Sequence, residues 1–369
     1  MIPERLRGRL EGWLLRVWFD SPADPATPAD RLLAGLAAPI ALPLSWLVAA
    51  VARRRRARIR RQLPADAAVP VLVVGNLVAG GSGKTPLVSA IAQGLRDQGF
   101  HPGLLVGGYR SRAAGGNGRS GDGVAMVDGT SDALAVGDEA VLLALETGLP
   151  LVAGKDRAAA AALLLRSHPA CDVIVSDDGL QHVGLARRLE LLVIDDRGFG
   201  NGRCLPAGPL REPADRFDSV DAVILASPHV DAPGTSVRQF RSTVQPRGFR
   251  SLDKAQAWEP AEFVQRFGAE SLSAIAGIAR PQRFFGMLRA LGLQPQVHAL
   301  PDHGLIDRTW LAGLPGRWLL MTGKDAVKCL GFEESLRARC VCLDVAAVPE
   351  PALLKWLVAE LRPTAHRNG

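Results

Sequence analysis

Glycines 80, 81 and 83 lead into Lys84 and Thr85, and the run closely follows the apolar stretch Val71–Val74. A glycine-rich loop between a buried strand and a helix turns its backbone N–H groups toward a polyphosphate, and the helix adds its positive end. In such a loop Lys84 reaches the outer phosphates and the Thr85 hydroxyl sits on Mg²⁺. The strict pattern asks for glycine five residues before Gly83, where this chain has Val78. A plain flexible turn is the alternative. The order strand, glycine run, Lys-Thr and apolar helix (Leu87, Val88, Ile91) favours nucleotide binding.

Other groups suited to chemistry stand at the ends of apolar runs. Val173–Val175 leads through Ser176 to Asp177 and Asp178, where a P-loop enzyme needs an acid to hold Mg²⁺ directly or through water. Asp-Asp-Gly also suits a turn or a cap. Leu191–Ile194 ends in the rival pair Asp195 and Asp196, followed by Arg197 and a glycine-rich loop. Asp138 precedes an apolar helical stretch; it either caps that helix or accepts a proton from an attacking hydroxyl. Arg211, in a Gly/Pro-studded loop, either grips a phosphate bidentately or makes a surface ion pair. His303 stands at a strand tip, a position that is structural or catalytic.

The bulk composition bounds what these groups can belong to. The chain has 369 residues, 47% hydrophobic and 22% charged, enough for two domains with cores of their own. Five cysteines without Cys-x-x-Cys spacing read as buried thiols in a reducing compartment and support neither a zinc site nor a disulfide framework. The net charge of +7 is concentrated in arginines near the N-terminus. From Leu32 to Ala52 no residue is charged; Arg53–Arg56, Arg58, Arg60 and Arg61 follow. As a helix the apolar run is about 30 Å long, near the thickness of a bilayer's hydrocarbon, although Pro39 and Pro43 interrupt it. The basic block follows the apolar run, the reverse of a signal peptide. Trp46 and the arginines favour a membrane attachment with the basic end at the cytoplasmic face. A nucleic-acid partner is not expected, because the charge sits beside apolar residues without interleaved aromatics. No protein partner is inferred.

The elements that must position these groups alternate. Strands at Val71–Val74, Gly103–Val106, Leu151–Val152, Val173–Val175 and Leu191–Ile194 are separated by helices after Lys84, at Ala140–Glu146 and at Arg157–Arg166. This is the rhythm of a doubly wound parallel sheet. Residues 1–29 open with one or two amphipathic turns, and Gly115–Gly123 reads as a surface loop. Around residues 236–258 the helical period gives way to short extended pieces. A second α/β unit begins near Ser273, with a helix at Pro281–Leu291, strands at Gln296–Leu300, Trp318–Met321 and Arg339–Leu343, and a last helix at Glu350–Leu361. The predicted fold is α/β: a P-loop doubly wound parallel sheet, a second, smaller α/β domain, and an N-terminal membrane-associated helix. The predicted boundaries are 1–63 (membrane segment), 64–235 (P-loop domain), 236–260 (linker, two-stranded), 261–345 (second α/β domain) and 346–369 (C-terminal helix).

Taken together, the motifs Gly75-Asn76 with Gly80–Pro86, Gly137-Asp138-Glu139, Ser176–His182, Gly200–Gly202 and Leu205–Pro213 resemble the tetraacyldisaccharide 4′-kinase family. Ala276–Pro281 with Phe284-Phe285, Asp302-His303 and Thr322 with Lys324–Lys328 continue the resemblance in order. It implies transfer of the ATP γ-phosphate to the 4′-hydroxyl of an acylated glucosamine disaccharide 1-phosphate at the inner membrane, with ATP and Mg²⁺ as cofactors. It also implies nucleotide contacts from Gly80, Gly81, Ser82, Gly83, Lys84, Thr85 and Pro86, and metal association through Thr85, Asp177 and Asp178. Asp138 resembles the catalytic base, supported by His303 from the second domain, with Lys84 on the phosphates. Gln181, His182, Arg211 and Glu212 lie in matching motifs and are assigned to the acceptor. Two motifs depart from the family: Val106-Gly107-Gly108-Tyr109-Arg110 displaces an arginine, and Gly323 replaces a carboxylate. The alternatives are a membrane-tethered nucleotide switch and an ATP-binding scaffold. Guanine recognition is disfavoured because Thr322-Gly323-Lys324-Asp325 lacks the Asn/Thr-Lys-x-Asp spacing.

Overall fold

A computed structural model describes residues 4–20, 25–61, 69–81, 83–107, 123–182, 184–227, 230 and 236–362. The readings placed on Ser82, on Gly108-Tyr109-Arg110 and on most of the 115–123 loop lie outside the described residues. The strands are β1 (Val71–Gly75), β2 (Pro102–Val106), β3 (Val124–Val127), β4 (Leu151–Gly154), β5 (Val173–Asp177), β6 (Leu189–Ile194), β7 (Ala222–Leu225), β8 (Arg238–Ser251), β9 (Ala257–Trp258), β10 (Leu272–Ala276), β11 (Gln296–Ala299), β12 (Trp318–Thr322) and β13 (Cys340–Pro349). With the helices between them they form the α/β fold that the alternation predicts.

The chain divides into two compact units that interleave along the sequence: Met1–Ala68, Leu72–Ser82 and Asp178–Arg241 in the first, and Val69–Val71, Gly83–Asp177 and Ser242–Gly369 in the second. In the first unit β1, β6 and β7 pair in parallel, and the start of β8 extends the row. An N-terminal helix, Glu4–Phe19, replaces the expected turn or two. A 34-residue helix, Pro28–Arg61, runs unbroken through Pro39 and Pro43. Each proline removes one backbone hydrogen bond without ending the helix. Leu32, Leu36, Ile40, Trp46 and Leu47 are exposed on it, while Ser45 is buried and donates from Oγ to the Cys204 carbonyl at 2.8 Å. By length and composition Pro28–Ala57 can cross a bilayer.

In the second unit β5, β2 and β4 are parallel, with β3 antiparallel at the edge of β4. A further sheet in the order β11-β10-β12-β13-β8 is parallel up to β13, which pairs with β8 antiparallel. Alternate residues of β12 enter different cores, as the period-2 geometry of a strand requires. Trp318 and Leu320 join Phe249, Phe263, Phe267 and Phe285, whereas Leu319 and Met321 join Ile275, Leu311 and Cys342. Sequence patterning suggested short extended pieces where β8 is one strand of 14 residues. Pro246 lies within it opposite Val345, where the register slips next to Asp344. A bulge leaves one residue unpaired and so accommodates a proline inside a strand.

Candidate active site

The loop after β1 takes a backbone path that its glycines permit. Gly80 and Gly83 have φ of +89° and +70°, conformations that side chains with a Cβ disfavour. Lys84 and Thr85 open the helix Lys84–Asp97 and are both buried. Leu87, Val88, Ile91 and Leu95 bury the inner face of that helix, so packing fixes the direction of its positive end.

Asp138 and His303, 165 residues apart, are brought into contact in the second unit. His303 Nδ1 lies 3.0 and 3.1 Å from the two Asp138 carboxylate oxygens. Gly137 occupies the cap position of the helix Asp138–Thr147, so Asp138 is its first residue rather than its cap. His303 itself has φ +55° and donates its N–H to the Gly277 carbonyl. Lys328 Nζ is 3.6 Å from Asp138 and 3.1 Å from Asp325. Asp325, fully buried, also accepts from the Gly277 N–H at 3.0 Å and the Thr322 hydroxyl at 2.7 Å. Burial alone would raise the Asp138 carboxyl, but the His303 hydrogen bond and the charges of His303, Lys324 and Lys328 hold it below its ordinary value. The bond to Asp138 raises His303, against burial. Glu139 forms an ion pair with Lys324. Burial opposes its ionisation, yet Lys324 and then Lys84 hold it low. Lys324, despite its burial, is raised by Glu139, Asp138 and Asp177. Lys84, Asp138, Glu139, Asp177, His303, Lys324 and Lys328 thus form one electrostatic cluster. Sequence reasoning gave no role to Lys324 and Lys328, although both lie in the Thr322–Lys328 motif.

Asp177 ends β5 and is buried, and Arg157, also buried, donates to its carbonyl at 2.7 Å. Among the described residues no three His, Cys, Asp or Glu side chains cluster into a self-sufficient metal site. Mg²⁺ instead suits one or two carboxylates and a hydroxyl completed by phosphate oxygens. Thr85 and Asp177 offer such all-oxygen donors. The rival Asp195 is held by Arg197 at 2.8 Å in a nearly closed ion pair.

In the first unit, the residues assigned to the acceptor form a chain of contacts. Asp178, at φ +49°, accepts from Arg211 at 2.7 Å. Gln181 Nε2 donates to Glu212 at 2.9 Å and to the Asn76 carbonyl at 3.3 Å. Arg216 lies behind Glu212 and reaches Glu190, which also pairs with Arg187. His182 joins through its backbone, its carbonyl accepting from Arg187. Burial raises the Glu212 carboxyl against the opposing bond from Gln181. Gln181, Arg211 and Glu212 line a cavity of about 340 Å³ whose other walls include Leu47, Val51, Arg55 and Leu180. One wall is apolar helix and the other is polar loop.

A glycine-rich loop at the mouth of a buried helix, with a carboxylate–imidazole pair in the electrostatic reach of its lysine's neighbours, defines a P-loop phosphotransferase. The LpxK family model, tetraacyldisaccharide-1-P 4′-kinase, matches residues 37–362. The tetraacyldisaccharide 4′-kinase of Dechloromonas aromatica is 42% identical over 353 residues, 96% of this chain and 98% of that protein. That of Azoarcus sp. is 45% identical over 314 residues, 84% and 89% of the two chains. The crystal structure of the "apo" form of LpxK from Aquifex aeolicus in complex with ATP superposes with a TM-score of 0.71 at 27% identity, covering 89% of this chain and 99% of that one. The chain belongs to the tetraacyldisaccharide 4′-kinase family, and it is an ATP-dependent kinase.

Proposed function

We propose that this chain transfers the ATP γ-phosphoryl group to the 4′-hydroxyl of a tetraacylated glucosamine disaccharide 1-phosphate in lipid A biosynthesis. The observation that carries this reading is the Asp138–His303 pair within the same compact unit as Lys84. In a loose phosphoryl-transfer transition state the attacking hydroxyl keeps its proton until late. Asp138, held ionised by His303, Lys324 and Lys328, is available to accept that proton. His303 orients the carboxylate, and Lys328 supplies fixed positive charge beside it. The backbone of residues 80–86 and Lys84 hold the triphosphate. Thr85 and Asp177 would hold Mg²⁺, which when bound would neutralise charge on the phosphates; Asp178, the next residue in sequence, is paired with Arg211.

Gln181, His182, Arg211 and Glu212 orient the acceptor. The partly apolar cavity that Gln181, Arg211 and Glu212 line fits a sugar carrying acyl chains. Such an acceptor stays in the bilayer, because each buried CH₂ is worth about 0.8 kcal/mol. The enzyme therefore works at the cytoplasmic face of the inner membrane, held there by the exposed apolar helix and its arginines. In this reading 1–63 is the membrane segment, 64–235 the kinase domain, 236–260 a linker, 261–345 a second α/β domain and 346–369 a closing helix. The test is phosphorylation of the acylated disaccharide by purified protein with Mg-ATP, with GTP as competitor. Transfer from ATP that GTP does not inhibit supports the reading. Guanine-specific binding without transfer overturns it in favour of a nucleotide switch.

A further inference from the structure

Arg197 does more than neutralise Asp195. Its side chain is 11% exposed, and it contacts Asp195 through both Nε and Nη2. The same guanidinium donates to two carbonyls of the loop after β1, to Gly81 at 3.0 Å and, at longer range, to Ala79 at 3.4 Å. Because the peptide unit is planar, holding a carbonyl in one direction turns the next N–H the other way. The Ala79 contact therefore fixes the direction of the Gly80 N–H. Gly80 has φ +89° and no side chain to fix its own conformation. An external fork supplies the stiffness that the glycines lack.

The fork is itself supported from the N-terminus. Phe19, the last residue of the helix Glu4–Phe19, carries the Arg197 guanidinium over its ring at 5.4 Å. Beside it the Trp18 carbonyl accepts from the Asn201 N–H at 2.8 Å, and the Trp18 indole donates to the Pro206 carbonyl at 3.3 Å. The end of this helix is thus docked on the segment that carries Arg197. The helix lies outside the stretch matched by the family model, which begins at residue 37.

We propose that Arg197 is a positioning residue for the nucleotide loop, and that Phe19 sets its hold, so that docking of the N-terminal helix tunes ATP affinity. This rests on reading residues 80–86 as the nucleotide loop. The test is binding of a non-hydrolysable ATP analogue to the full chain, together with separate KM values for ATP and the lipid acceptor. Arg197→Met should weaken analogue binding and raise the ATP KM about ten- to a hundredfold, with the acceptor KM unmoved. Arg197→Lys should restore part of the loss, since an ammonium lacks the fork that spans a carboxylate and two carbonyls. Phe19→Ala should cost about two- to fivefold alone and little further in the Arg197→Met background. If Arg197→Met does not fold, Phe19→Ala and Arg197→Lys carry the test. Wild-type analogue affinity in folded Arg197 variants overturns the proposal, as do fully additive effects of Phe19→Ala and Arg197→Met. Lys84→Met is the control: unchanged analogue binding there overturns the loop reading itself, whereas loss there with intact Arg197 variants overturns only this inference.

Discussion

Replacing His303 by alanine removes one partner from the buried Asp138 carboxylate and leaves the Glu139 N–H and Lys328. The lost contact is a charge-assisted hydrogen bond of 3.0 Å. Bonds to charged groups contribute about 1.5–3 kcal/mol, so kcat should fall roughly ten- to a hundredfold. Lys328 remains 3.6 Å away to keep Asp138 ionised. The loss should therefore be smaller than for Asp138→Ala, which removes the proposed base and should cost about 10²–10⁴-fold. Two pH effects follow. Without His303 the Asp138 carboxyl rises, so the acid limb of kcat moves to higher pH. The pair's contribution to stability should be fully present between the ordinary carboxylate and imidazole values of 3.8 and 6.5. It fades as pH falls through the lowered Asp138 value or climbs through the raised His303 value. Initial rates with Mg-ATP and acylated disaccharide in mixed micelles, from pH 5 to 9, measure the first effect; thermal melts over a wider range measure the second. An unchanged kcat and acid limb in folded His303→Ala would refute the reasoning.

If Asp177 holds Mg²⁺ as proposed, Asp177→Asn should raise the metal requirement at least about tenfold. Mn²⁺ binding followed by electron paramagnetic resonance with an ATP analogue measures this independently of turnover. Phe263→Ala should destabilise the protein by about 3–5 kcal/mol in denaturant titrations. Phe263 is fully buried, stacks on Phe249 at 4.1 Å and also meets Trp258 and Phe267. The pair Leu36→Asp and Ile40→Asp, at positions 70% and 71% exposed and one turn apart, should release the protein from floated vesicles. Its stability in detergent should change by less than about 0.5 kcal/mol per site. Undiminished flotation would show that this face is not the anchor.

The strand–loop–helix order around Lys84 was legible because its parts are contiguous: strand, glycines, Lys84-Thr85 and an apolar helix fall within one short stretch. The carboxylate–imidazole pair was not legible from spacing. Asp138 alone reads equally as a cap, and its partner is 165 residues away; only the ordered motifs of the family joined them. Lys328 and Arg157 went unassigned because their roles depend on which carboxylate or carbonyl the fold brings to them. Arg197 counted against the rival pair Asp195-Asp196 without revealing its bond to Gly81. The short extended pieces read around residues 236–258 include one long strand, in which a register shift beside Pro246 keeps β8 continuous. Pro39 and Pro43 suggested an interrupted helix where the structure has an unbroken one.

The most direct test is a crystal structure of the full chain with a non-hydrolysable ATP analogue and Mg²⁺. The β- and γ-phosphates should lie within hydrogen-bond distance of the backbone N–H groups of residues 80–85, with Lys84 Nζ on the outer phosphates and the metal between phosphate oxygens and Thr85. A nucleotide bound away from this loop, with Lys84 making no phosphate contact, would contradict the account.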